Sequence, residues 1–281
     1  MFNDAADLWD FYGTRVGQVA RRLIQRRIRE LWPRSAGETV LGLGYATPFL
    51  RPFQGEAERV FAVMPARQGV LHWPREGKGL VCLADEAELP LQDVSVDRVL
   101  LVHALECTEQ LRPMLHEIWR VLAGNGKLLV VVPNRRGIWA RLDRTPFGHG
   151  HPYSPTQLSR LLKDTMFAPS LTAHALYMPP SNSPLLLRSA LAVEKLGERW
   201  FNRFSGVVLI EATKQIYARP KGRAVKIRQL LPLPGRRAPA LTSIDYGPSP
   251  SGNSPGGSQV FRLAPVSNAG SRVTTGRLTQ L

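Results

Sequence analysis

The stretch VDRVLLVHALECTEQLRPMLHEIWRVLAGNGKLLVVVPN, Val96 to Asn134, decides the fold. Val99–Val102 and Lys127–Val132 are near-continuous apolar runs, as expected of strands covered on both faces in a parallel sheet. Between them Leu111, Leu115, Ile118 and Leu122 recur at helical spacing, which predicts a helix over Thr108–Leu122 closed by Gly124. Upstream, Thr39–Leu43, Arg59–Val63 and Leu80–Leu83 repeat the strand pattern. Downstream the chain predicts a helix over Pro155–Lys163, a strand over Leu171–Leu176, a helix from about Pro184 to Trp200 and a last strand over Gly206–Ala212. Strands alternating with helices in this way give a doubly wound, mostly parallel α/β sheet of the Rossmann-like kind, with its ligand at the carboxyl ends of the strands.

Charge divides the chain. The sequence has 281 residues, with 37 Lys+Arg against 22 Asp+Glu, a net +15 that suggests a nucleic-acid or membrane-surface partner. From Pro220 to Leu281, however, nine basic residues face one acid, Asp245, so +8 of the total lies in 62 residues that hold 8 Pro, 8 Gly and 7 Ser. So few large apolar residues cannot offset the entropy of ordering, and residues 219–281 are expected to form a disordered basic tail. Much of the remainder belongs to Thr14–Trp32. There Val16, Val19, Ala20, Leu23, Ile24, Ile28 and Leu31 make one helical face and Arg15, Arg22, Arg26 and Arg29 fall on another, with Pro33 ending the pattern. Residues 1–37 are therefore expected to place an amphipathic basic helix on a core domain of residues 38–218. This helix and the tail offer a weak contact to an anionic membrane or a nucleic acid. The acidic start, Met1–Asp10, does not read as a signal peptide, and no apolar run reaches the ~18 residues of a membrane span. Cys82 and Cys107 make neither a disulfide framework nor a zinc site, which fits a cytoplasmic setting, peripheral to a membrane where the basic helix touches one.

Three motifs in order resemble a family. ETVLGLGYATP (Glu38–Pro48) stands where class I S-adenosylmethionine-dependent methyltransferases of the type 11 subgroup have a strand, an acid and a glycine loop. DEAELPLQDVSVDRVLLVHALE (Asp85–Glu106) resembles their Asp-Ala-Glu-x-Leu-Pro loop and His-x-Leu-Glu strand ending. LHEIWRVLAGNGKLLVVVPN (Leu115–Asn134) is similar to their Glu-Ile-x-Arg-Val-Leu-x-x-Gly-Gly segment. The resemblance implies a seven-stranded methyltransferase sheet, S-adenosylmethionine as cofactor and an unidentified methyl acceptor as partner. It implies a cofactor lying over Gly42, Gly44, Tyr45 and Ala46, with its ribose near Met64, its adenine near Asp85 and Glu86, and His103 at the strand edge. Glycine at such a loop lets backbone approach the ligand without a Cβ clash.

The departures bear on the chemistry. Gly42 and Met64 occupy positions where the family carries acids, the second of them the carboxylate that accepts the ribose hydroxyls. Losing it removes charge-assisted hydrogen bonds worth ~1.5–3 kcal/mol each. Two functions follow as alternatives: methyl transfer to an acceptor, or a non-catalytic methyltransferase-fold binding or scaffold protein. Candidates for a catalytic group are His103, at the end of the fourth strand, and His151 and Tyr153, in the long loop after the fifth. Two histidines at i and i+2, His149 and His151, lack the accompanying acids or cysteines of a metal site, and no metal is assigned.

Overall fold

The structure is a computed structural model and describes residues 4–216. The tail expected from residue 219 lies outside the described residues. Seven strands are laid down from apolar runs: β1 (Thr39–Gly44), β2 (Arg59–Pro65), β3 (Val81–Ala84), β4 (Val96–Val102), β5 (Leu122–Pro133), β6 (Phe167–Ala175) and β7 (Val207–Lys214). They form one sheet in the order β3-β2-β1-β4-β5-β7-β6. The first five strands pair in parallel, Gly42 opposite Ala62 on one side and Leu100 on the other, whereas β7 runs antiparallel to both β5 and β6. This is the seven-stranded, mostly parallel sheet that the sequence predicts.

Helices cover both faces. On one lie α1 (Ala5–Gly13), α2 (Arg15–Leu31), the short α3 (Thr47–Leu50), α6 (Pro184–Arg188) and α7 (Ala190–Trp200). On the other lie α4 (Leu111–Val121) and α5 (Pro155–Asp164). The apolar stripe of α2, Val16, Ala20, Leu23, Ile24 and Ile28, is buried against the first face. Trp32 ends that helix with its indole N–H donating to Glu211 of β7 at 2.8 Å. Three of the arginines of α2 are paired within the chain, Arg26 with Glu30, Arg27 with Glu30 and Glu198, and Arg29 with Glu56.

The structure differs from the expected elements in four places, the first at Gly124, which lies inside β5 while α4 ends at Val121 with the Leu122 N–H donating to the Ile118 carbonyl. The strand–helix alternation is full at β4–α4–β5, but the connections β2 to β3 and β3 to β4 carry no helix. Gly69, Gly77 and Gly79 with Pro74 punctuate the first of these, and Pro90 the second. Helix α4 begins at Leu111 rather than Thr108, because the Thr108 hydroxyl accepts from Gln110 N–H and donates to Glu86, holding a turn. The helix expected over 184–200 is broken at Ser189, whose hydroxyl donates to the Leu185 carbonyl and closes α6 before α7 starts.

Helix α1 is an element the sequence reading missed. Asp4 caps it, its carboxylate accepting from Ala6 N–H, and Ala5, Leu8, Phe11 and Tyr12 are buried. The chain turns from α1 into α2 at Gly13–Thr14, with the Thr14 hydroxyl accepting from Gly17 N–H.

Candidate functional site

Strands β1 and β4 are neighbours, but the chain leaves β1 toward β2 and leaves β4 toward β5. The loops after them part, and this divergence makes the crevice in which doubly wound sheets bind ligands. Gly44, the last residue of β1, lies opposite Val102 with φ +78. A Cβ there would stand 2.4 Å from the Val102 carbonyl oxygen and 2.7 Å from the Ala104 methyl. Only glycine takes this conformation and this approach without strain. On the β4 side His103 is buried with φ +51, an uncommon conformation for a residue with a side chain.

Helix α1 closes this crevice. The Tyr12 phenol is buried, 2.7 Å from His103 Nε2, and its ring stacks on Tyr45 at 5.9 Å and meets Phe49 edge-on at 5.7 Å. Phe11 beside it packs against Phe147 of the loop after β5, which also contacts the His103 ring. At the other end of α1, Ala5 N–H donates to the Gln68 carbonyl in the loop after β2, and the Gln68 amide donates to the His103 carbonyl at 2.7 Å. The helix is thus fastened across the carboxyl ends of β2, β1 and β4.

The contacts at both ring nitrogens suit a neutral imidazole with its proton on Nδ1. His103 Nδ1 lies 3.2 Å from Glu106 Oε1, and a carboxylate only accepts, so Nδ1–H is the donor. In the neutral imidazole Nε2 is then an acceptor and the Tyr12 O–H donates to it. Burial pushes the Tyr12 phenol well above its ordinary pKa, with Tyr45 and Glu106 adding to the rise and Arg21 opposing it. The second oxygen of Glu106 and the side-chain oxygen of Gln68 are buried without a partner. Burial, then Glu106, also pushes the Cys107 thiol up to about 12, which makes it a poor nucleophile near neutrality.

The remaining candidates surround this centre unequally. Tyr45 and Ala46 are buried, Tyr45 against Tyr12. Gly42 does not open onto the crevice: Leu50 of α3 already stands 2.6 Å from where its Cβ would be. Met64 is fully buried in the apolar cluster shared with α1 and α2. Asp85 is exposed, with its carboxylate accepting from Ala87 N–H at 2.8 Å, whereas Glu86 is buried and accepts from Thr108. His151 is exposed, and its N–H donates to the Glu106 carbonyl. Tyr153 is half-buried, and its phenol is raised by burial and next by Glu106. His149 Nε2 lies 2.7 Å from the Asp143 carbonyl. Among the described residues no group of three His, Cys, Asp or Glu is placed to hold a metal ion.

The cofactor implied by the resemblance does not fit this arrangement. With α1 seated, a cavity of about 150 Å³ lies between Gln68, Glu86, His103, Thr108 and Met114. Small-molecule sites span roughly 300–1,000 Å³. The unpartnered oxygen of Gln68 at this cavity is a polar group awaiting a donor. The buried rings of Tyr12 and Tyr45 stack on each other next to His103, and no carboxylate stands at Met64 to receive a ribose. A larger hollow of about 610 Å³ lies between α4 and the end of α5 and holds none of the candidate residues.

Comparison with known proteins bears on this geometry. Residues 41–130 match the family model described as a methyltransferase domain, a segment running from β1 to the middle of β5. The chain is similar in structure to an S-adenosylmethionine-dependent methyltransferase of Thermotoga maritima, at 19% identity and TM-score 0.50 over 71% of this chain and 92% of that one. It is also similar to a chain from the complex between the Haloferax volcanii Trm112 methyltransferase activator and a methyltransferase, at 15% identity and TM-score 0.51 over 72% and 94%. The comparison with curated proteins gives no match. The family implies S-adenosylmethionine as its cofactor. Residues 41–130 therefore match the methyltransferase-domain model, and the chain shares the fold of S-adenosylmethionine-dependent methyltransferases.

Proposed function

We propose that this chain is an S-adenosylmethionine-dependent methyltransferase held closed by its own first helix, and that α1 must leave the crevice before cofactor and acceptor can enter. The observation that carries the proposal is the Tyr12 phenol, stacked on Tyr45 and bonded to His103 at the switch point of a sheet that matches the methyltransferase-domain model. A group that fills a binding crevice lowers apparent affinity by the fraction of time it is away, and so regulates entry. Gly13 at the α1–α2 junction meets nothing in the Cβ direction, and Thr14 caps both helices, its hydroxyl accepting from Gly17 N–H and donating to the Phe11 carbonyl, so in this reading α1 swings about Gly13 once the Thr14–Phe11 bonds break.

Opening α1 frees His103 Nε2 in the acceptor form that a general base needs, with Glu106 holding the tautomer. In this reading His103 takes the proton of a hydroxyl or amine acceptor that enters beneath the loop of residues 134–153. Tyr153 and His151 line that approach. Methyl transfer asks little more of the protein than alignment, because the sulfonium carries the activation.

A second reading is favoured by Met64 and Gly42, which are packed as core rather than as a ligand site. In it the fold serves only for binding or scaffolding, with α1 permanently in place. Equilibrium dialysis against labelled S-adenosylmethionine separates the two, using the full chain and its Tyr12→Ala variant. Saturable binding that strengthens in the variant supports the closed enzyme. No binding by either at millimolar ligand, with the variant still folded, supports the scaffold.

A further inference from the structure

The α6–α7 segment and the turn after it present an apolar surface that nothing among the described residues covers. Leu185, Leu191, Leu196, Trp200, Phe201 and Phe204 are each more than half exposed. Their direction is fixed by what the helix buries. Gly197 packs so closely on Tyr177 that a Cβ would stand 2.3 Å from it, and Glu194 turns inward to accept from the Leu176 and Tyr177 amides at 2.8 and 2.9 Å. With Gly197 and Glu194 facing in, Ala192, Leu196 and Trp200 at i, i+4 and i+8 face out in one stripe. Contiguous exposed apolar side chains of this kind mark interaction sites.

The charges around it name the partner. Arg188, Lys195, Arg199 and Arg203 are exposed along the same segment, and none is paired with a carboxylate among the described residues. The two acids of the segment are already used, Glu194 by backbone amides and Glu198 by Arg27 at 2.7 Å. Apolar side chains are therefore edged by unopposed positive charge, with the Arg199 guanidinium beside the Trp200 ring at 5.9 Å. Tryptophan and phenylalanine at the apolar level, with Lys and Arg stems reaching past them, are the composition of a helix lying in a bilayer interface. The interface of two like chains would set these four cations against each other. Strand β6 runs in the same direction as β5, so the segment after it stands at the sheet edge where the crevice opens. Trp139 N–H donating to the Met178 carbonyl and Arg144 to the Pro180 carbonyl tie that segment to the loop after β5.

We infer that α6, α7 and the Phe201–Phe204 turn dock on an anionic lipid bilayer, with Leu196, Trp200 and Phe204 at the acyl boundary and the four basic side chains at the headgroups. This does not depend on methyl transfer or on cofactor binding. The test is co-sedimentation of the full chain with vesicles of phosphatidylcholine alone or mixed equally with phosphatidylglycerol. The native chain is expected to pellet with the mixed vesicles. Leu196→Ser with Trp200→Ser keeps every charge of the chain and is expected to lose roughly tenfold or more of the partitioning. Lys195→Glu with Arg199→Glu, which keeps the apolar stripe, is expected to lose a similar factor. All four positions are exposed, so circular dichroism and the thermal midpoint should stay at native values. Equal binding by the apolar variant would overturn the inference in favour of the helix α2 or the tail. Absence of native binding would also overturn it, as would a dimer in sedimentation that the Trp200 variant abolishes, which would assign the patch to a second copy.

Discussion

Replacing Tyr12 by Phe removes one oxygen and leaves the ring contacts with Tyr45, Phe49 and Phe11 in place. What is lost is the hydrogen bond to His103 Nε2, 2.7 Å long and buried. The imidazole nitrogen is then left without a donor, since Nδ1–H is already committed to Glu106. An orphaned buried acceptor costs about 1–3 kcal/mol. That cost falls on the closed state alone, because an open α1 leaves Nε2 free to meet water. If closed and open states exchange as proposed, the population of the open state rises by the corresponding factor, about 5- to 150-fold. Calorimetric titration with S-adenosylhomocysteine, which cannot donate a methyl group, reads that factor as tighter apparent binding. Thermal unfolding of the same variant reads the loss of stability. Both should move together. A variant that melts lower but binds no more tightly would refute the coupling and leave Tyr12 a core residue only.

Other perturbations follow from the same packing. Gly44→Ala puts a methyl 2.4 Å from the Val102 carbonyl at φ +78, and chemical denaturation should show a loss of about 1–3 kcal/mol or more. Trp32→Phe takes away one of the donors to buried Glu211, which keeps Ser170 and Lys127, and should cost about 1–3 kcal/mol in the same measurement. Glu194→Gln tests a pH dependence. Burial raises the Glu194 carboxyl above its ordinary value, and Glu198 adds to the rise, while the Tyr177 and Leu176 amides and Arg27 oppose it. A raised folded pKa gives stability that is present below the unfolded value, near 4.5, and is lost as pH rises through the folded value. Relative to the glutamine variant the native chain should therefore lose stability between acid and neutral pH. A difference between the two that is flat with pH would refute this.

The sequence made the β4–α4–β5 unit readable because its strands are apolar on both faces and its helix carries a clean stripe, although the helix ends at Val121 and Gly124, read as its stop, lies inside β5. Gly44, His103 and the Asp85 loop were readable because motif order placed them at strand ends. What closes the site was not. Ala5, Leu8, Phe11 and Tyr12 do follow helical spacing after the Asp4 cap, and that signal was available. It is only nine residues long and sits in a stretch weighed for its acids alone. The bond from Tyr12 to His103 spans 91 positions, and no local pattern reports a contact at that separation. Gly42 likewise read as part of a ligand loop, while Leu50, eight residues on, fills the space above it. The break at Ser189 turns on one hydroxyl and decides which way Leu196 and Trp200 point.

The claim on which the account rests is that α1 and the cofactor compete for one crevice. Amide hydrogen exchange across residues 5–13, followed with and without saturating S-adenosylhomocysteine, tests it most directly. The account predicts that ligand binding strips protection from α1 while the amides of β1 and β4 stay protected. Ligand that binds with α1 still fully protected would contradict it.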